Sequence, residues 1–121
     1  MGTTEYKVRQ IPEPGAQLGG LKNDGRAKSL GPIKIQDRIL ANLGAGFAYD
    51  LPFVVTNYRI ILDSRRGVVS RQVTGNLIPA DIRQKISTMR SGDRIIIEEI
   101  RARNPEYGIT KSGSPATYTI R

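Results

Sequence analysis

The chain has 121 residues and a formal net charge of +8, with 19 Lys and Arg against 11 Asp and Glu, and neither histidine nor cysteine. That length is expected to form one domain over residues 1–121, with a core large enough to close without staples. The missing cysteine excludes disulfides and thiolate zinc sites, and the missing histidine removes the commonest general base and metal ligand.

In chain order, Tyr6 and Val8 alternate with Lys7 and Arg9, the period of a half-buried strand. Pro12, Pro14 and Gly15 stop that ladder, and residues 12–32 read as a long Gly/Pro loop. Ile35, Ile39, Leu40 and Leu43 have the spacing of one helical face, closed by Gly44 and Gly46. From Phe53 to Leu62 the pattern predicts a long strand with Val54, Thr56, Tyr58, Ile60 and Leu62 on one face.

Asp63-Ser64-Arg65-Arg66-Gly67 is a hairpin turn, and residues 68–74 return with Val69 and Val73 inward. Pro79 starts a helix whose Ile78, Ile82, Ile86 and Met89 form an apolar stripe. A strand over 94–103 carries three consecutive isoleucines, Ile95 to Ile97, so part of it is expected to be buried on both faces. Asn104 to Gly108 is a turn, and Ala116, Tyr118 and Ile120 alternate in a last strand. The expected fold is α+β, mainly β: an antiparallel, sandwich-like domain with one or two packed helices. Its expected core is Val54, Tyr58, Ile60, Leu62, Ile82, Ile86, Ile95, Ile97 and Tyr118.

The basic balance raises a nucleic-acid or anionic-lipid surface as one reading. The cations, however, are scattered from Lys7 to Arg121, only Arg65 and Arg66 are adjacent, and no aromatics interleave with them. A solvated surface, or a basic patch for an acidic protein partner, fits the same charge. Catalytic, cofactor and metal motifs are absent: Gly19-Gly20 and Gly44-x-Gly46 lack the rest of a nucleotide fingerprint and read as turns. Glu98 and Glu99 are neighbours on a strand and are expected to point to opposite faces. Asp50, Asp63, Asp81 and Asp93 lie at element ends, where caps and turns use them. A pocket gathering several of Glu98, Glu99, Asp93 and Lys111 would reopen an enzymatic reading. Chain ends are uninformative about membrane anchoring, but no apolar run reaches bilayer length, no signal peptide is apparent, and the layout reads as a domain excised from a longer protein.

The opening Tyr6-Lys7-Val8-Arg9-Gln10-Ile11-Pro12-Glu13-Pro14, followed by Gly19-Gly20, resembles the start of the last periplasmic domain of GldM/PorM proteins. The similarity runs on through Phe53 to Tyr58, the Pro79 helix, and the junction Ser91-Gly92-Asp93-Arg94-Ile95. The resemblance implies the C-terminal periplasmic domain of a homodimeric, inner-membrane-anchored shaft in the gliding and type IX secretion machinery of Bacteroidetes. It further implies a GldL-type partner in the inner membrane and GldK/GldN-type partners in an outer-membrane ring. It implies no enzyme, cofactor or nucleic acid. The candidate partner-binding residues are Pro12, Glu13, Pro14 and Leu18 on the long loop, Arg65 and Arg66 on the hairpin tip, and Tyr107 in a turn.

Overall fold

A computed structural model describes residues 14–21, 25–42, 53–105 and 108–121. In order these form β1 (Gly15–Leu18), α1 (Leu30–Lys34), β2 (Ile39–Asn42), β3 (Val54–Ser64), β4 (Gly67–Thr74), α2 (Ala80–Ile86), β5 (Arg94–Asn104), β6 (Ile109–Ser112) and β7 (Ala116–Thr119). The fold is mainly β with two helices, and every strand pairing is antiparallel. The main sheet runs β4-β3-β5, and the far edge of β5 is shared by β6 along its second half and β7 along its first.

One face of this sheet carries the core. Tyr58, Ile60 and Leu62 of β3 lie beside Ile95 and Ile97 of β5 and Ala116 and Tyr118 of β7, all buried. Helix α2 lays Ile82 and Ile86 into the same cluster, while its Arg83, Gln84 and Lys85 face water. The β1–β2 ribbon and α1 complete the cover with Ala16, Leu18, Ile39 and Ile33. The opposite face carries polar side chains together with half-buried Ile61 and Ile96, side by side in the β3–β5 ladder, and the exposed Val54 and Val68. The triple isoleucine therefore has two members in the core and one on the open face.

Two segments differ from the sequence expectation. Residues 12–32 are not loop throughout, because Gly15 to Leu18 form a strand and Lys28 bridges to Ile120. The helix expected over Ile35 to Leu43 lies earlier, over Leu30–Lys34, and Ile35 is 69% exposed. Pro32 is tolerated there because first-turn amides lack helical partners. Ile39 and Leu40 belong instead to β2, opposite Leu18 and Gln17. Tertiary pairing overrides the helical spacing: the Gly19 N–H donates to the Arg38 carbonyl at 2.9 Å and the Ile39 N–H to the Asn76 carbonyl at 2.8 Å. Strand β6 is an addition that the sequence reading lacked. The strand expected around Tyr6, together with Leu43, Gly44 and Gly46, lies outside the described residues.

A third difference is local. Val54 is 46% exposed and Val55 takes its place in the core. The β3–β5 register shows why. Arg59 opposes Glu98 but Asn57 opposes Arg101, so β5 carries one extra residue; Val55 opposes Ala102, so β3 then carries one extra in return. These two bulges offset each other, and each switches its strand's inward phase. Buried positions consequently step from Tyr58 to Val55 and from Ile97 to Ile100. Glu99 takes a positive φ of 50° at the bulge.

Candidate partner-binding cleft

The β3–β4 hairpin closes through a two-residue turn, with Ser64 opposite Gly67 and Arg65-Arg66 between them. The Ser64 hydroxyl accepts the Arg66 N–H at 3.3 Å and donates to the Gly67 carbonyl at 3.2 Å, which holds the turn. Gly67 has φ 132°, a conformation that an L side chain resists. Both arginines are thereby exposed at the tip.

The tip faces the C-terminal end of α2 across a cleft of about 750 Å³, a size typical of ligand pockets. Its floor is apolar, made by Leu62, Val69 and Met89. Arg65 and Arg66 line the cleft from the hairpin tip, and Lys85 and Arg90 from α2 and the turn that follows it. Asp93 also lines it and is 7% exposed. Its carboxylate accepts the Arg90 backbone N–H at 2.8 Å, closing the turn after α2. Among the described residues no carboxylate pairs with the side chains of Arg65, Arg66, Lys85 or Arg90.

The other charged cluster lies on the open face of the sheet. The β5 bulge brings Glu98 and Glu99 to the same side, correcting the expectation that they diverge. Their carboxylates lie 3.8 and 3.4 Å from the same Arg59 guanidinium nitrogen. Asp93 lines the cleft, and Glu98, Glu99 and Lys111 are not among the residues that line it with Asp93. No group of three potential metal-ligating side chains gathers among the described residues.

The family model of the GldM C-terminal domain matches residues 11–121. The chain belongs to that family. No curated protein matches it. GldM proteins are structural and motor components of the gliding and type IX secretion machinery, anchored in the inner membrane with the C-terminal domain in the periplasm. No helix among the described residues is long and apolar enough to cross a membrane.

Within this GldM domain the candidate residues part company. Leu18 is fully buried, and Pro14 is buried with its carbonyl accepting the Ser114 N–H at 2.8 Å. Neither side chain is available to a partner in this fold, because β1 turns what read as loop into core. Pro12, Glu13 and Tyr107 lie outside the described residues. Arg65 and Arg66 are exposed and line the cleft. Lys85, Met89 and Arg90 were missed. Met89 ends the apolar stripe of α2, and Lys85 stands four residues before it, so their neighbourhood was visible; that the hairpin tip lines one cleft with them was not.

Proposed function

We propose that the chain is a non-enzymatic docking domain at the distal, periplasmic end of a dimeric motor shaft, coupling a proton-driven inner-membrane motor to an outer-membrane-associated ring. Membership of the GldM C-terminal domain family over residues 11–121 carries this reading. In the full-length protein the GldL-type partner would be engaged through a membrane segment and the GldK/GldN-type ring proteins through this domain. The cations of the hairpin cleft, which pair with no carboxylate among the described residues, offer the surface for that contact. The basic nucleic-acid alternative gains no support, since the described aromatics Phe53, Tyr58 and Tyr118 are all buried and supply no stacking platform.

The test is co-purification of the tagged domain with GldK/GldN-type ring proteins from a solubilised outer-membrane fraction. Capture above an unrelated basic domain of equal charge is expected. Capture no better than that control removes the coupling role from this domain.

A further inference from the structure

The charges on this surface are distributed unevenly. Asp37, Asp63, Asp81, Glu98 and Glu99 each pair with an arginine, namely Arg38, Arg94, Arg71 and, for both glutamates, Arg59. Asp93 is the other described carboxylate in reach of the cleft, and it serves the Arg90 backbone. The four cations around the cleft are left with no carboxylate among the described residues. They line one cleft from two parts of the chain, the hairpin tip and the region from α2 into the turn after it, so their fields add in the space they share.

That space has an apolar floor, with Leu62 and Met89 almost fully buried. Val68, 66% exposed, adds an apolar rim on β4, the edge strand of the described sheet. A ligand matching both features carries negative charge on two sides of an apolar centre. A nucleic acid offers the charge, but its bases would find no aromatic partner in this lining. A short protein segment with carboxylates beside an aliphatic side chain supplies both features at once.

Resting on the docking role above, we infer that the cleft seats an extended segment of a partner protein in which carboxylates flank an aliphatic side chain. The aliphatic side chain would contact exposed Val68 and half-buried Val69, which share the lining with the nearly buried Leu62 and Met89. The flanking carboxylates would take paired donors from Arg65 or Arg66 on one side and from Lys85 or Arg90 on the other. Contacts to exposed arginines act mainly on encounter and orientation, and the buried aliphatic anchor sets the dissociation rate.

The experiment uses the whole 121-residue chain, isotope-labelled, titrated with a blocked octapeptide of alternating glutamate and leucine and followed by amide NMR shifts. Saturable shifts confined to residues 62–69 and 85–93 are expected. Replacing glutamate by glutamine, or leucine by alanine, in the peptide should weaken binding by about tenfold or more. Two charge-reversal pairs, Arg65→Glu with Arg66→Glu and Lys85→Glu with Arg90→Glu, should each do the same while leaving the thermal midpoint near wild type. Absent saturation, shifts elsewhere, or indifference to either pair overturns the inference. So does a single-stranded oligonucleotide that saturates the same amides more tightly than the peptide. The same variants enter the ring co-purification. Wild-type capture that both pairs retain sinks the cleft and leaves the docking role standing. Peptide binding at the cleft without any wild-type capture does the reverse.

Discussion

Two glycine-to-alanine substitutions should change stability in opposite directions. At Gly113 an added Cβ would stand 2.6 Å from the Pro14 carbonyl oxygen and 2.7 Å from Ile100 Cγ2. Neither neighbour can give easily. The Gly113 N–H donates to the Ile100 carbonyl at 2.8 Å, and the Ser114 N–H donates to that same Pro14 oxygen at 2.8 Å. The Ala16 N–H then donates to the Ser114 carbonyl at 3.0 Å, so moving Pro14 also disturbs β1. Overpacking of this kind costs about 1–3 kcal/mol. Alanine gains about 0.4–1 kcal/mol by restricting the unfolded chain, so Gly113→Ala should be destabilising on balance, by up to about 2.6 kcal/mol. At Gly31, in α1, the added Cβ meets nothing within 4 Å, and only the favourable contribution remains. Gly31→Ala should therefore be stabilising by about 0.4–1 kcal/mol. Urea unfolding followed by circular dichroism reads both, with the slope checked for constancy. A Gly113→Ala midpoint at or above wild type would refute the close approach of β1 to the 113–115 kink.

Tyr118 should be the second point of attachment for β1: its hydroxyl accepts the buried Leu18 N–H at 2.9 Å and donates to the Leu21 carbonyl at 2.7 Å. Tyr118→Phe should cost about 1–3 kcal/mol and speed hydrogen exchange at the Leu18 amide, and an unchanged exchange rate would count against that bond. Burial pushes the Tyr58 phenol up to about 12. Being raised in the folded state, it gives stability that is complete below the unfolded value near 10 and lost as pH climbs toward 12, up to about 3 kcal/mol. Tyr58→Phe should remove that alkaline decline, and a decline that persists unchanged would assign it to other groups. At Glu99, where φ is 50°, glycine and asparagine should be better tolerated than valine in thermal melts, the reverse of ordinary strand preference. Arg71 holds the Asp81 carboxyl below its usual range, so that exposed pair favours folding above the unfolded carboxylate pKa and weakens as pH falls. Salt should erase the difference between wild type and Asp81→Asn near neutrality, and a salt-insensitive difference would point to a capping role instead.

Regular alternation made much of the main sheet legible. Tyr58, Ile60 and Leu62, with Ile95 and Ile97, repeat every second residue and are all buried. The stripe Ile78, Ile82, Ile86 and Met89 was equally readable and is buried throughout. Val54 was misplaced because a bulge changes phase without a mark in composition. Extending Tyr58's alternation backwards selects Val54, whereas the pleat actually skips to Val55. The same event on β5 hid the approach of Glu98 and Glu99 to Arg59. Ile39 was read as helical because four-residue spacing cannot reveal that Leu18 lies opposite it across a ribbon. Of the candidate surface, the arginine pair was visible as the sole adjacent cations. Leu18 was misread because the four residues Gly15–Leu18 carry too little pattern to announce a strand.

These misreadings share a physical location. The offset bulges of β3 and β5 lie near Asn57 and Glu99. On the far edge of β5 the ladder breaks between Ser112 of β6 and Ala116 of β7. In that gap Ser114 bridges to Gly15, bringing β1 against the main sheet. The extra residue at Glu99 thus bends β5 where its outer partner changes, and β1 enters beside the bend. The hairpin tip is a separate case. From Leu62 onward β3 and β4 pair without interruption to Ser64 and Gly67, and the turn is held by its own Ser64 hydroxyl. Damage at the seam should therefore lower global stability through the core residues Ala16 and Leu18. Charge reversal at Arg65 and Arg66 touches exposed groups with no carboxylate partner among the described residues, and should alter association while leaving folding intact. That separation would let the proposed partner surface vary without disturbing the fold that presents it.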